Sequence, residues 1–127
     1  MNWVKRSAAV ISTLAVAGAW ATVSAAPATA AGGCPTARLC VWDGTDFLGT
    51  RIASASTNAC FFINDTAGFS SVRSYSNNSA VSGKIYEYGP GGYFAARTLS
   101  AGGFSSDIGT PRGGGVADMI CMGNATP

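Results

Sequence analysis

The sequence predicts an all-β protein in which two sheets pack as a sandwich. Seventeen glycines are spread among short apolar segments, and none of the segments after residue 30 has the periodicity of an amphipathic helix. An aromatic hairpin pattern at residues 42–49 returns at residues 88–95, a step of 46 residues that indicates two copies of one structural unit. Four cysteines in a short chain favour a small domain stabilised by disulfides.

The first 30 residues have the pattern of a secretory signal peptide. Lys5 and Arg6 precede an apolar stretch over residues 8–21, and small residues at 28–30 form a cleavage site, with residues 24–26 as the competing site. The apolar stretch is shorter than the roughly 20 residues that a membrane-spanning helix needs. We therefore expect a secreted, extracellular chain with no membrane attachment after cleavage, and one domain over residues 31–127.

Charge and composition exclude several function classes. After cleavage the basic and acidic residues balance, so no basic patch predicts nucleic-acid binding. The chain has no histidine, which removes the commonest general base and a frequent zinc ligand, and it has no Gly-x-Ser-x-Gly motif. Asp43 and Asp46 are a carboxylate pair of the kind that glycosidases use, but they lie in a turn, where solvated carboxylates are ordinary. We expect a non-enzymatic protein.

The four cysteines are expected to form two disulfides rather than a metal site. No Cys-x-x-Cys pair is present. Three pairings are formally open. We favour Cys34 with Cys40 as a short N-terminal clip, and Cys60 with Cys121 as the closure of a long loop. The second bond would stabilise the fold by on the order of 3–4 kcal/mol in the loop-entropy description.

The first half of the domain predicts four short strands. Residues 39–42 and 50–53 flank a hairpin in which Trp42 and Phe47 are expected to pack on each other, and Gly49 permits a sharply folded backbone. Residues 60–63 predict a buried strand and residues 70–75 a half-buried one. The polar residues 76–82 predict a linker between the two halves.

The second half repeats this organisation. Residues 84–88 and 96–100 predict strands joined by a turn at residues 90–92, with Tyr88 and Tyr93 as the aromatic pair. Residues 104–108 and 116–122 predict the remaining strands, and the glycine-rich residues 109–115 predict a loop. Two sets of four strands packed face to face would bury both apolar faces.

The hairpin at residues 42–49, followed by Ser-Ser-Val-Arg at residues 70–73, resembles the Greek-key motif of the βγ-crystallins. The leader, Cys34, Cys40 and the mature length resemble the bacterial secreted branch of that superfamily, which contains small metalloproteinase inhibitors. The resemblance implies two Greek keys, at about residues 34–78 and 82–123, forming one βγ-crystallin-like, disulfide-stabilised sandwich.

The resemblance also assigns roles to residues around the two hairpins. Ser70 or Ser71 corresponds to the serine that hydrogen-bonds over the first hairpin, whereas glycines stand at the matching place in the second half, so no such tie is expected there. Ala95 is the counterpart of Gly49, and Gly92 is expected to take up the bend instead.

A calcium site is a further implication of the resemblance. Asn64 and Asp65 together with Ser70 and Ser71 match the family's calcium signature, with four spacer residues in place of two, and Glu87 would complete the site from the other copy. Carboxylate, hydroxyl and carbonyl oxygens suit this cation. The alternative is an Asx-type turn between strands. Calcium is thus a candidate ligand, and no cofactor is required.

For function, the resemblance implies a secreted inhibitor of an extracellular metallopeptidase that acts through a rigid surface loop. In the best-understood inhibitor the protease-facing segment lies by a cysteine-bridged loop in the second half, where this chain has only Cys121, so the contact residues are not assigned. The alternatives are a non-inhibitory βγ-crystallin-type extracellular module and a killer-toxin-like protein. We expect a monomer whose partner is a peptidase.

Overall fold

The computed structural model describes residues 31–127, so the predicted signal peptide lies outside the described residues. The strands are β1 Leu39–Trp42, β2 Arg51–Ser54, β3 Cys60–Phe62, β4 Ser74–Asn77, β5 Gly83–Gly89, β6 Gly92–Leu99, β7 Phe104–Ser105 and β8 Met119–Met122. The helices of this part are 3-10 turns at Ala31–Gly33, Thr45–Phe47 and Ile63–Asp65. None of them is long and apolar enough to cross a membrane.

The strands form two four-stranded antiparallel sheets. The first sheet has the order β2-β1-β4-β7 and the second has the order β3-β8-β5-β6. The predicted fold class, an all-β protein of two four-stranded sheets, is confirmed.

Each sheet takes three strands from one half of the domain and one from the other. β3 belongs to the first half but pairs with β8 of the second, and β7 belongs to the second half but pairs with β4 of the first. Within each half the fourth strand lies beside the first, β4 beside β1 and β8 beside β5, which is the strand order of a Greek key. The two predicted sets of four strands are therefore correct in number, but a set does not coincide with a half of the chain.

The core lies between the sheets and follows the two-residue alternation of the strands. In β1, Leu39 and Val41 face the core, and Cys40 and Trp42 face the outside of the first sheet. The buried core residues are Leu39, Val41, Ile63, Phe69, Val72, Tyr75, Ile85, Leu99, Ile108, Ile120 and Met122. A second, smaller cluster of Cys34, Cys40 and Trp42 covers the outer face of the first sheet, with Phe47 packed against it.

Both favoured disulfides are present. Cys34 is bonded to Cys40, and Cys60 is bonded to Cys121. Cys60 and Cys121 are direct partners across β3 and β8, so this bond fastens the strand that comes from the first half to the sheet of the second half.

The linker predicted at residues 76–82 is shorter in the structure, because β4 ends at Asn77 and the connection to β5 covers residues 78–82. Ser76 and Asn77 belong to β4 and are buried. The Asn77 side-chain amide donates to the carbonyls of Val81 and Leu99, both at 2.9 Å, and its oxygen accepts a hydrogen bond from the Ser79 hydroxyl at 2.7 Å. A polar side chain with its hydrogen bonds satisfied is compatible with burial, so the polar composition of this segment did not indicate exposure.

Only the strand predicted at residues 39–42 has the observed bounds. The strands predicted at 50–53 and 84–88 differ by one residue at each end, and the one predicted at 96–100 is Gly92–Leu99. The other four differ as follows. The strand predicted at residues 60–63 is an edge strand, and its Phe62 is half-exposed. Val72 makes only an isolated bridge with Arg112, so the strand predicted at 70–75 begins at Ser74. The strand predicted at 104–108 is two residues long. The strand predicted from residue 116 begins at Met119, because the residues before it form a turn.

Candidate functional site

The first hairpin has the aromatic pair that the sequence predicts. The rings of Trp42 and Phe47 meet edge to face with their centroids 5.2 Å apart. Gly49 has a φ of 90° and lies against the carboxylate of Asp43, which accepts a hydrogen bond from the Thr50 amide at 2.8 Å. A side chain at residue 49 would collide with that carboxylate, so the predicted need for glycine is confirmed.

Ser74, and not Ser70 or Ser71, holds the first hairpin closed. Its hydroxyl donates to the Gly44 carbonyl at 2.7 Å and accepts from the Phe47 amide at 3.1 Å. The cause is strand register, since Ser74 lies directly opposite Trp42 on β1 and therefore on the face over which the hairpin folds. Tyr75 faces the core, and this alternation along β4 is the sequence signal that could have identified Ser74.

The second hairpin is also tied to its sheet, which corrects the prediction that this tie is missing. Tyr88 and Tyr93 pack edge to face with centroids 5.0 Å apart. The Tyr88 amide donates to a carboxylate oxygen of Asp118 at 2.9 Å, and the Tyr93 hydroxyl donates to the Ala117 carbonyl at 2.9 Å. Gly92 has a φ of 101° and takes up the bend, as predicted. Asp118 thus does for the second hairpin what Ser74 does for the first.

The carboxylate of Asp118 also organises the loop that precedes β8. Its second oxygen accepts from the Gly115 amide at 2.7 Å, and the Asp118 amide donates back to the Gly115 carbonyl at 3.1 Å, which closes a tight turn. The Asp118 carbonyl accepts from the Ile63 amide at 3.1 Å. Asp118 itself is buried, whereas Val116 at the tip of the turn is 84% exposed.

The other end of this loop is fixed by Glu87. One carboxylate oxygen of Glu87 forms an ion pair with Arg112 at 3.3 Å, and the other accepts from the Gly113 amide at 2.9 Å. Gly113 is buried with a φ of 78°, a left-handed conformation that favours glycine, and a Cβ at this position would press on the Ile63 side chain. The loop from residue 113 to residue 118, called here the Val116 loop, is therefore anchored at both ends.

The predicted calcium ligands differ in their exposure and in their hydrogen-bond partners. Asn64 and Asp65 lie exposed in a 3-10 turn, Ser70 is exposed and Ser71 is half-buried. Both carboxylate oxygens of Glu87 are engaged by Arg112 and Gly113. Among residues 31–127, no group of three or more histidine, cysteine, aspartate or glutamate side chains is placed to hold a metal ion. Because Glu87 is engaged in this way, we expect these residues not to bind calcium, and a melt with and without calcium tests this.

The sequence model of peptidase inhibitor family I36 matches residues 27–92, which include the leading disulfide, the whole first half of the fold and the first strand of the second half. The chain belongs to peptidase inhibitor family I36. No curated protein and no solved structure matches it. Membership of this family indicates a non-enzymatic inhibitor protein, in agreement with the expectation from composition.

Two features of this family I36 inhibitor were missed at the level of sequence. Asp118 falls inside the strand predicted at residues 116–122, and its contacts with Tyr88 and Ile63 join segments that are distant in the chain. Val116 was assigned to a strand. Its counterpart by strand register, Arg73, lies in the strand predicted at residues 70–75, so the repeat gave no signal that Val116 lies in a surface loop.

Proposed function

We propose that this family I36 inhibitor is secreted and inhibits an extracellular metallopeptidase by presenting a rigid surface loop to the enzyme. The observation that carries the proposal is a family of peptidase inhibitors matched on a small fold with two disulfides. The leader pattern and the disulfides suit an oxidising extracellular compartment. The preference for a metallopeptidase rests on the resemblance to the secreted branch that contains metalloproteinase inhibitors.

The Greek-key strand order and the closed aromatic hairpins support the kinship with βγ-crystallins that is part of this proposal. The scaffold suits inhibition because its loops are held in place before binding. A segment that is already ordered does not lose conformational entropy when it docks, and this raises affinity without new contacts. The inhibitor needs no catalytic group of its own, because occupying the cleft of the enzyme is sufficient to exclude substrate.

The test is inhibition of a panel of purified extracellular peptidases, with metallo- and serine types side by side. We expect saturable inhibition of at least one metallopeptidase at micromolar or lower concentration, and none of the serine enzymes. Reduced and alkylated protein is the control, because it keeps the sequence and loses both disulfides. Absence of inhibition across the panel would contradict the proposal, and inhibition of serine peptidases alone would contradict its metallopeptidase part.

A further inference from the structure

The Val116 loop combines high exposure of an apolar tip with tight anchoring of its backbone. Among the large hydrophobic residues of the described chain, Val116 has the highest exposure, at 84%. Single exposed aliphatic side chains are common on protein surfaces and need no explanation by themselves. Val116 combines the highest exposure of this group with a turn beneath it that is fixed by hydrogen bonds.

These contacts hold the main chain on both sides of Val116. On the amino side, Gly113 is bonded to Glu87 and Gly115 to the carboxylate of Asp118. On the carboxyl side, the Ala117 carbonyl accepts from the Tyr93 hydroxyl. Three residues beyond Asp118, Cys121 is linked to Cys60. The turn is preorganised, which is the property that a binding segment needs in order to avoid an entropic cost on docking.

The surroundings of the loop also suit insertion into a cleft. Gly114 and Gly115 are exposed and carry no side chain, so another protein can approach the main chain closely. Tyr88, whose amide is bonded to Asp118, is 61% exposed and lies beside the loop. Tyrosine is among the residues that carry the most binding energy at protein interfaces.

The two halves of the molecule differ at the position of Val116. The registers of β4 on β1 and of β8 on β5 pair Val116 with Arg73, which is exposed and charged, and the residue before Arg73, Val72, is buried in the core. Only the second half therefore presents an apolar tip on this loop. The segment lies beyond the residues that the family model matches.

We propose that the Val116 loop enters the active-site cleft of the inhibited peptidase, with Val116 filling an apolar side-chain pocket and Tyr88 packing against the rim. The loop tip carries no charge and Asp118 is buried beneath it, so the complementary surface is an aliphatic pocket rather than a charged one. This inference rests on the proposed inhibitory function and assigns the contact segment that the sequence left open.

The experiment compares Val116→Asp with Leu48→Asp in the full, disulfide-bonded protein. Leu48 is the matched control, because it is an aliphatic residue that is 65% exposed on the first hairpin. Inhibition constants are measured against the metallopeptidase that wild type inhibits most strongly in the panel. A buried charge in an apolar pocket should weaken inhibition by Val116→Asp at least ~30-fold, the size expected for an interface hot spot. Leu48→Asp should change it less than ~3-fold, and Val116→Ile should retain it.

The outcomes separate the two proposals. Wild-type inhibition that Val116→Asp leaves intact, or that only Leu48→Asp removes, overturns the Val116 loop as the contact segment and leaves the inhibitory function standing. A wild-type protein that inhibits no peptidase overturns both. Hydrogen exchange on the wild-type complex gives an independent readout that needs no variant. Slower exchange over residues 113–118 supports the proposal, and unchanged exchange there contradicts it.

Discussion

Ser74 shows how one hydroxyl closes a hairpin that strand pairing alone leaves open. Residues 43–50 fold back over the outer face of the first sheet, and the turn there has main-chain groups that no neighbouring strand can satisfy. The Ser74 hydroxyl bonds both the Gly44 carbonyl and the Phe47 amide. A side chain without hydrogen-bonding capacity would leave these two part-buried polar groups without this partner.

We expect Ser74→Ala to lower the free energy of unfolding by about 1–3 kcal/mol, because a partly buried donor and acceptor lose their partner. Ser70→Ala is the control, since Ser70 is exposed and a surface substitution of this kind changes stability by less than about 0.5 kcal/mol. Urea unfolding of both variants measures the difference. If Ser70→Ala destabilised the protein as much as Ser74→Ala, the assignment of the tie to Ser74 would be wrong.

At the scale of elements, the two halves are joined by an exchange of strands. β3 of the first half lies in the second sheet, and β7 of the second half lies in the first sheet. β3 is three residues long and lies at the edge of the second sheet, where a single neighbour pairs with it. Such a short edge strand gains little from hydrogen bonds alone. The Cys60–Cys121 disulfide crosses this pair directly and holds β3 on β8.

Replacing Cys60 and Cys121 together by serine should cost more stability than replacing Cys34 and Cys40 together. The two bonds close chain segments with sequence separations of 61 and 6 residues, and loop entropy gives about 4 and about 2 kcal/mol for these lengths. Thermal unfolding of the two double variants measures the order. A larger loss from the Cys34 and Cys40 pair would show that packing of the N-terminal clip on Trp42, and not loop entropy, dominates.

At the scale of the whole molecule, calcium should not raise the melting temperature. The carboxylate that would bring the second half into the site, Glu87, already binds Arg112 and Gly113. A cation that bound only the folded chain at a hundred times its dissociation constant would add about 2.7 kcal/mol. We expect melts in millimolar calcium and in chelator to coincide, with magnesium as a control for ionic strength. A rise in calcium that Glu87→Gln abolished would establish the site.

Local patterns in the sequence predicted most of the elements and both aromatic pairs. Period-two alternation identified β5, and the hairpin spacing placed Trp42 with Phe47 and Tyr88 with Tyr93. Neither local patterns nor the resemblance could supply strand register, so the resemblance pointed to Ser70 or Ser71 where strand pairing selects Ser74. The favoured pairing of Cys60 with Cys121 did imply one contact between distant segments. Two bonded cysteines in strands require those strands to be neighbours.

The candidate site was less predictable than the fold. The Val116 loop is built by contacts between segments that are far apart in the chain, namely Asp118 with Tyr88 and Ile63, and Glu87 with Gly113. A glycine run followed by an apolar segment predicts a loop and then a strand. Only the contacts of Asp118 reveal that the first residues of that segment form an exposed turn.

The exchange of β3 and β7 between the sheets also has a consequence for the order in which the protein reaches its native state. The first sheet cannot be completed before residue 104 is available, and β3 has no partner until β8, near the end of the chain, has formed. Neither half can therefore form a complete sheet without a strand from the other half. Pairings over such long separations slow folding, toward the millisecond-to-second range of sandwich proteins. Until β8 has formed, Cys60 lacks its native partner Cys121, whereas the short Cys34–Cys40 loop can already close.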